Sequence, residues 1–146
     1  MSLDGWQRQL TRGDKYEGKS SLSPDGHLIA FASDRPTRHY PNTNIWIMSS
    51  DGGEATAREF TFGGGASPAW SPDGNWLAFT SYRDGASALY LKRVGDTPVI
   101  KVTGRTGKCH AAWTPDGDRI VFDPEREPDR GNIAVIDLSG IVKRVK

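Results

Sequence analysis

The stretch that decides the fold is Ala69-Trp70-Ser71-Pro72-Asp73-Gly74-Asn75-Trp76-Leu77-Ala78-Phe79. Proline at the second turn position pre-sets φ, Asp73 can bond its own backbone, and Gly74 supplies the positive φ that returns the chain to a sheet. The segment reads as strand, tight turn, strand. The same word stands at Ser23-Pro24-Asp25-Gly26 and again at Thr114-Pro115-Asp116-Gly117. The spacings are 48 and 43 residues, a period at which self-similarity marks propellers, solenoids and other arrays of one supersecondary unit.

Laid over one another, the three units share more than the turn. Ser20-Ser21-Leu22, Pro68-Ala69-Trp70 and Ala111-Ala112-Trp113 precede it, and they are short and mostly small. Leu28-Ile29-Ala30-Phe31, Trp76-Leu77-Ala78-Phe79 and Arg119-Ile120-Val121-Phe122 follow it, with strand periodicity and apolar residues on both faces. A third strand is predicted at Asn44 to Met48, Ala88 to Lys92 and Asn132 to Ile136. It is closed by Asp51-Gly52-Gly53, Gly95-Asp96 and Ser139-Gly140. A polar fourth strand ends each unit, at Glu59-Phe60-Thr61, Lys101-Val102-Thr103 and Arg144-Val145-Lys146. The expected fold is all-β: a β-propeller with three four-stranded antiparallel blades, over residues 12–60, 61–103 and 104–146. Residues 1–11 form a leader in which Trp6 to Thr11 reads as one further outer strand. That strand either pairs across a ring junction, displacing Ile141 to Val145, or caps the rim.

Composition bounds the function. The chain has 146 residues, a net charge of +1, 17 glycines and 9 prolines, which suits one domain of many short strands and argues against a dedicated nucleic-acid surface. Cys109 is the single cysteine, so no internal disulfide forms. No apolar run approaches the roughly eighteen residues of a membrane span, and Met1-Ser2-Leu3-Asp4-Gly5 does not resemble a signal peptide.

The combination of Ser-Pro-Asp-Gly turns, the loop Ser33-Asp34-Arg35, the strand Asn44-Ile45-Trp46-Ile47-Met48 and Asp51-Gly52-Gly53 resembles the TolB-like propellers built from WD-like repeats. The resemblance covers roughly residues 9–146. The second unit departs from it at Ser81-Tyr82-Arg83 and the third at Asp123-Pro124-Glu125-Arg126. The resemblance implies a ring of six blades and a periplasmic setting. Three blades cannot close a ring and would leave two apolar faces open. The expected solution is a homodimer closing six blades, or else the remaining blades of a longer chain.

Loops joining strands two to three and four to one share the face opposite the Ser-Pro-Asp-Gly turns. Arg35, Arg38, His39, Tyr40, Tyr82, Arg83, Arg105, His110 and Arg126 gather there, a mixture of arginine and aromatic residues typical of interface anchors. They are the candidate binding residues for a protein or peptide partner. Arg83→Ala is expected to be nearly neutral for folding. No catalytic set, resident metal or cofactor is predicted. Gly65-Ala66-Ser67-Pro68-Ala69 fails the nucleophile-elbow pattern, and Gly63-Gly64-Gly65 precedes no helix and so spaces two blades. Cys109 and His110, adjacent on a strand, point to opposite faces and cannot share one ion. The expected function is therefore a non-enzymatic scaffold. The alternatives are an accessory propeller of a prolyl-oligopeptidase-like hydrolase, and a metal-dependent propeller lyase using His110, His39 and an acidic residue at the channel mouth.

Overall fold

The computed structural model describes residues 5, 7–35, 43–104, 106, 110–124 and 132–143. Within them lie three antiparallel sheets. The first contains β1 (Glu17–Leu22), β2 (Leu28–Ser33), β3 (Asn44–Ser49) and β4 (Arg58–Glu59), in that spatial order. The second contains β5 (Ala66–Trp70), β6 (Trp76–Ser81), β7 (Ala88–Arg93) and β8 (Val99–Lys101), again in order. The third contains β9 (Ala111–Trp113), β10 (Arg119–Phe122) and β11 (Ala134–Asp137), with β11 at its outer edge.

The turn chemistry is the same in all three. Ser71 donates its hydroxyl to Asp73 at 2.6 Å while its Oγ accepts the Trp76 N–H at 2.9 Å. Gly74, at φ +73°, closes the turn on the Ser71 carbonyl at 2.9 Å. Ser23 with Asp25, and Thr114 with Asp116, repeat these contacts. The three carboxyl groups titrate below the usual range. For Asp25 and Asp116 the cause is the hydroxyl bond, from Ser23 and Thr114. At Asp73 partial burial opposes the shift, and the bonds from Ser71 and Asn75 outweigh it.

Packing joins the sheets face to face. Ala30, Ala32, Ile45 and Ile47 of the first sheet meet Leu77, Phe79, Ala88 and Tyr90 of the second, with Phe60 and Trp70 sealing the edges. The second sheet's other face, Trp76, Ala78, Leu89 and Leu91, meets Ile120 and Phe122 of the third. Every residue of β6 is consequently buried. A tryptophan bonds across each seam: Trp70 Nε1 donates to the Ser21 carbonyl at 3.1 Å and Trp113 Nε1 to the Ala69 carbonyl at 3.0 Å.

The innermost strands carry a feature that strand periodicity does not signal. Lys19 and Ser67, 48 residues apart, hold positive φ at 50° and 51° inside register shifts of β1 and β5. These bulges bend the inner edge and account for Pro68 in a strand, because the interrupted ladder requires no donor there.

The third unit differs from expectation. Its third strand begins at Ala134, not Asn132, and a short helix α1 (Ser139–Val142) replaces the turn at Ser139-Gly140. Asp137 accepts the Ser139 N–H at 2.9 Å, and Leu138 is buried, so the chain bends back with Ile141 and Val142 against the seam of the second and third sheets. The fourth strand expected at 144–146 lies outside the described residues.

The two outer faces of the array are unequal. On the third sheet Ile133 and Val135 are 81% and 60% exposed. On the first sheet Phe31 and Met48 are buried, covered by Leu10, Thr11 and Arg35.

Phe79→Ala is expected to cost about 3 to 5 kcal/mol, read from urea unfolding, because the ring is fully buried in the first seam. The lowered turn carboxyls set the sign of the acid response. Each contributes stability that is complete above its unfolded pKa and lost as pH falls through the folded one. Asp25→Asn, Asp73→Asn and Asp116→Asn combined should flatten the decline in urea midpoint between about pH 5 and about pH 2.5.

Candidate functional site

On the loop face, between the first and second sheets, lies an open groove of about 480 Å³ lined by Asp34, Thr43, Gly63 to Ala66, and Thr80 to Arg83. The crossing from β4 to β5 forms its floor. Glycine suits position 65 because a Cβ there would stand 3.0 Å from Ile45 Cγ1 and Thr61 Oγ1, a tight contact. Gly64 adopts φ +89° and is held from three sides. Its N–H donates to Asn44 Oδ1 at 2.8 Å, and its carbonyl accepts from Ser81 Oγ at 2.9 Å and Arg83 Nη2 at 3.3 Å. Asn44 is fixed in turn by donating to Glu59 at 2.8 Å. The glycine run thus builds a rigid floor as well as spacing two sheets.

Two side chains give this groove its chemistry. Tyr82 is 57% exposed at the mouth, an aromatic surface facing water. Asp34 supplies a carboxylate that accepts the Tyr16 N–H at 2.8 Å. Behind them, Arg83 spreads over Phe79 and Tyr90 at 5.5 and 5.0 Å from the ring centroids. Tyr90 donates its hydroxyl to Asp84 at 2.7 Å, and burial first, then that bond, pushes its pKa up to about 12. The same bond holds Asp84 below the usual carboxylate range. Lys92, with its ammonium over Phe60 at 4.2 Å, is pushed down by burial and then by Arg83.

Arg35 repeats the Arg83 arrangement on the first sheet. It sits over Phe31 and Trp46 at 5.5 and 5.4 Å, and its Nε donates to Glu17 at 2.8 Å. Arg35 and Arg83 are 48 residues apart, as are Phe31 and Phe79, while Trp46 and Tyr90 are 44 apart. Each guanidinium therefore clips the aromatic pair of strands two and three. Arg126 holds the corresponding place by spacing, 43 residues on, and lies outside the described residues.

Of the sequence-predicted residues, the structure brings Tyr82 and Arg83 together at the groove. Arg35 is buried on the opposite face of the first sheet. His110 lies exposed before β9, its N–H bonded to Asp123 Oδ1 at 2.8 Å. Arg38, His39, Tyr40 and Arg105 lie outside the described residues, as does Cys109. Among the described residues no three His, Cys, Asp or Glu side chains converge to hold a metal ion. Sequence reasoning left Thr43, Ser81 and the glycine floor out of its candidate binding set. The repeat alignment offers a signal for the arginine clips, since Arg35, Arg83 and Arg126 recur at the blade period, as structural residues do.

The family described as TolB beta propeller domain matches residues 37–145. With a match over most of its length, the chain belongs to the TolB beta-propeller family. It is 29% identical over 128 residues to the protein TolB homolog of Chlorobaculum tepidum, covering 87% of this chain and 28% of that one. TolB from Acinetobacter baumannii superposes with a TM-score of 0.68 at 23% identity, over 84% of this chain and 30% of that one. The β-propeller domain of the trilobed protease from Pyrococcus furiosus superposes at 0.64 and 15% identity, over 86% of this chain and 40% of that one. The chain spans about a third or less of the length of the curated relatives it matches.

Arg35→Ala is expected to destabilise by about 3 kcal/mol, since it leaves the largely buried Glu17 carboxylate uncompensated beneath an emptied clip. Arg35→Lys, with no planar fork to stack, is expected to recover less than half of that in thermal unfolding. The packing also corrects the expectation for Arg83. It is no indifferent loop residue, and Arg83→Ala is expected to cost about 1 to 2 kcal/mol.

Proposed function

We propose that this chain is the binding arc of a non-enzymatic TolB-type propeller, which takes an extended peptide or a loop of a protein partner in the groove beneath Tyr82. The observation carrying this reading is a half-exposed tyrosine standing over a rigid backbone floor, with the Asp34 carboxylate at the other wall. An aromatic anchor of that kind adds contact area at little entropic cost. The blades comprise residues 12–60, 61–103 and 104–146, and two copies related by a two-fold axis complete six. Family membership supports the scaffold reading, and resemblance to the family favours the periplasm as its setting. Among the described residues no helix is long and apolar enough to cross a membrane.

A second reading has support of its own. The likeness to the propeller of a protease, and the short span relative to known relatives, favour an accessory propeller whose remaining blades and hydrolase domain lie on the same polypeptide. Sequencing the reading frame on both sides distinguishes the two, since only the second requires an α/β-hydrolase domain there.

The groove is tested by screening the purified chain against an array of random ten-residue peptides and measuring the best binders by calorimetry. Tyr82→Ala is expected to weaken them at least tenfold, the scale of an interface anchor, with an unchanged melting temperature. Equal binding by the variant would place the site elsewhere.

A further inference from the structure

We propose that residues 7–11 of one copy form the fourth strand of the third sheet in a second copy, so that the six-bladed ring closes by reciprocal strand exchange. This rests on the two-copy reading above and adds how the copies join. In the first two sheets the fourth position is filled by a recurring word. Phe60 N–H donates to the Ile45 carbonyl at 2.8 Å, while the Ile45 N–H donates to Thr61 Oγ1 at 2.9 Å. Val102 and Thr103 do the same to Leu89, at 3.0 and 2.9 Å. The third sheet has its edge at β11, with no fourth strand among the described residues. With the polar residue that precedes it in both, as in Glu59-Phe60-Thr61 and Lys101-Val102-Thr103, a large apolar residue before threonine occurs once more, as Gln9-Leu10-Thr11.

Leu10 already occupies the neighbouring half of such a seam. It lines one open pocket with Ile29, Phe31 and Met48 on the front of the first sheet, and a Cβ on Gly53 would lie 2.9 Å from its carbonyl. Arg8 donates to the carbonyls of Ser50 and Asp51, both at 3.2 Å. Phe60 stands in the same relation to the second sheet, packed against Lys92, which occupies the position of Met48 44 residues on. Residues 7–11, which pair with no strand of their own chain among the described residues, thus run beside the first sheet where the outer strand of a preceding blade would lie. Spacings of 44 residues carry Ile45 to Leu89 and on to Ile133. The exchange therefore pairs the Leu10 N–H with the carbonyl of the partner's Ile133, and the Thr11 hydroxyl with its N–H.

The open faces fit for the same reason. Ile133 and Val135, exposed here, hold the places of Ile45 and Ile47, which are sealed against the aromatic pair of the second sheet. Phe31 and Trp46 offer the equivalent pair at the other end. The turns agree as well. A Cβ on Gly74 or Gly117 would meet Pro24 or Pro72 of the previous turn at 3.7 Å, whereas Gly26 has nothing within 4 Å. In the closed ring the partner's Pro115 fills that space. One position departs from the pattern: Leu22 stands where Trp70 and Trp113 bond across their seams, so this seam lacks the indole bond.

The register gives the test. Glu59 opposes Trp46 and Lys101 opposes Tyr90, so Gln9 opposes the partner's Ala134, with Cβ atoms about 5 Å apart, within disulfide reach. In a Cys109→Ser background, Gln9→Cys with Ala134→Cys is expected to give a dimer of twice 16.0 kDa by light scattering and an oxidised, linked dimer on a non-reducing gel. A dimer that does not link, or single variants that link equally well, overturns strand exchange while leaving the two-copy ring. A monomer overturns both and assigns the open faces to blades on another polypeptide. Val135→Asp, harmless in a free monomer, is expected to convert the dimer to monomer with unchanged circular dichroism; an intact dimer overturns the proposal.

Discussion

Each sheet of this chain is apolar on both faces, so none is satisfied by one neighbour, and the rest of the structure follows from that constraint. The second sheet meets it fully, with β6 buried along its whole length. A buried aliphatic or aromatic side chain contributes roughly 1.5 to 3 kcal/mol, and a strand exposed on one side forgoes half of its share. Stability therefore resides in the seams. Polar chemistry is displaced to the loops, to the turns and to the inner edge, where Lys19 donates to Ser67 at 3.4 Å. The groove under Tyr82 arises in the same way, where two sheets that touch along their lengths splay apart at their ends.

The repeat made most of this legible in advance. Three copies of one turn word, with serine or threonine, aspartate and glycine in fixed places, gave the strand order and the meander, because each residue type has a separate local job there. What stayed hidden depended on contacts between units. Arg35 and Arg83 stand among the candidate binding residues by their loop positions, and the rings stacked beneath them, which no loop sequence announces, show that each also clips a blade. The helix α1 was hidden for another reason. Ser139-Gly140 has ordinary turn composition, and burial of Leu138 decides which way the chain bends. The glycine floor needed Asn44, twenty residues away, to be recognised.

The clips also narrow the functional reading. An arginine on an aromatic pair is a frequent interface anchor, and here the same chemistry closes one end of the first and second blades from within. The guanidinium is planar and weakly hydrated, so at Arg83 it covers two rings while still donating to the buried Ser81 Oγ and Gly64 carbonyl. The proposed binding role falls instead on a residue that the repeat does not require. Tyr82 replaces an aspartate of the shared Ser-Asp-Arg word, which makes it an individual feature of the second blade, and it is the one that faces water.

The two ends of the array differ in a way the repeat alone does not explain. The first sheet's front has Leu10, Thr11 and Arg35 beside its buried Phe31 and Met48, whereas the third sheet's back leaves Ile133 and Val135 open. Here the covering strand sits at one end and the bare edge at the other, each carrying the half that the other lacks. Because every seam uses the same register, the end that offers an outer strand and the end that needs one are complementary by construction. The two-copy ring proposed above makes use of that asymmetry.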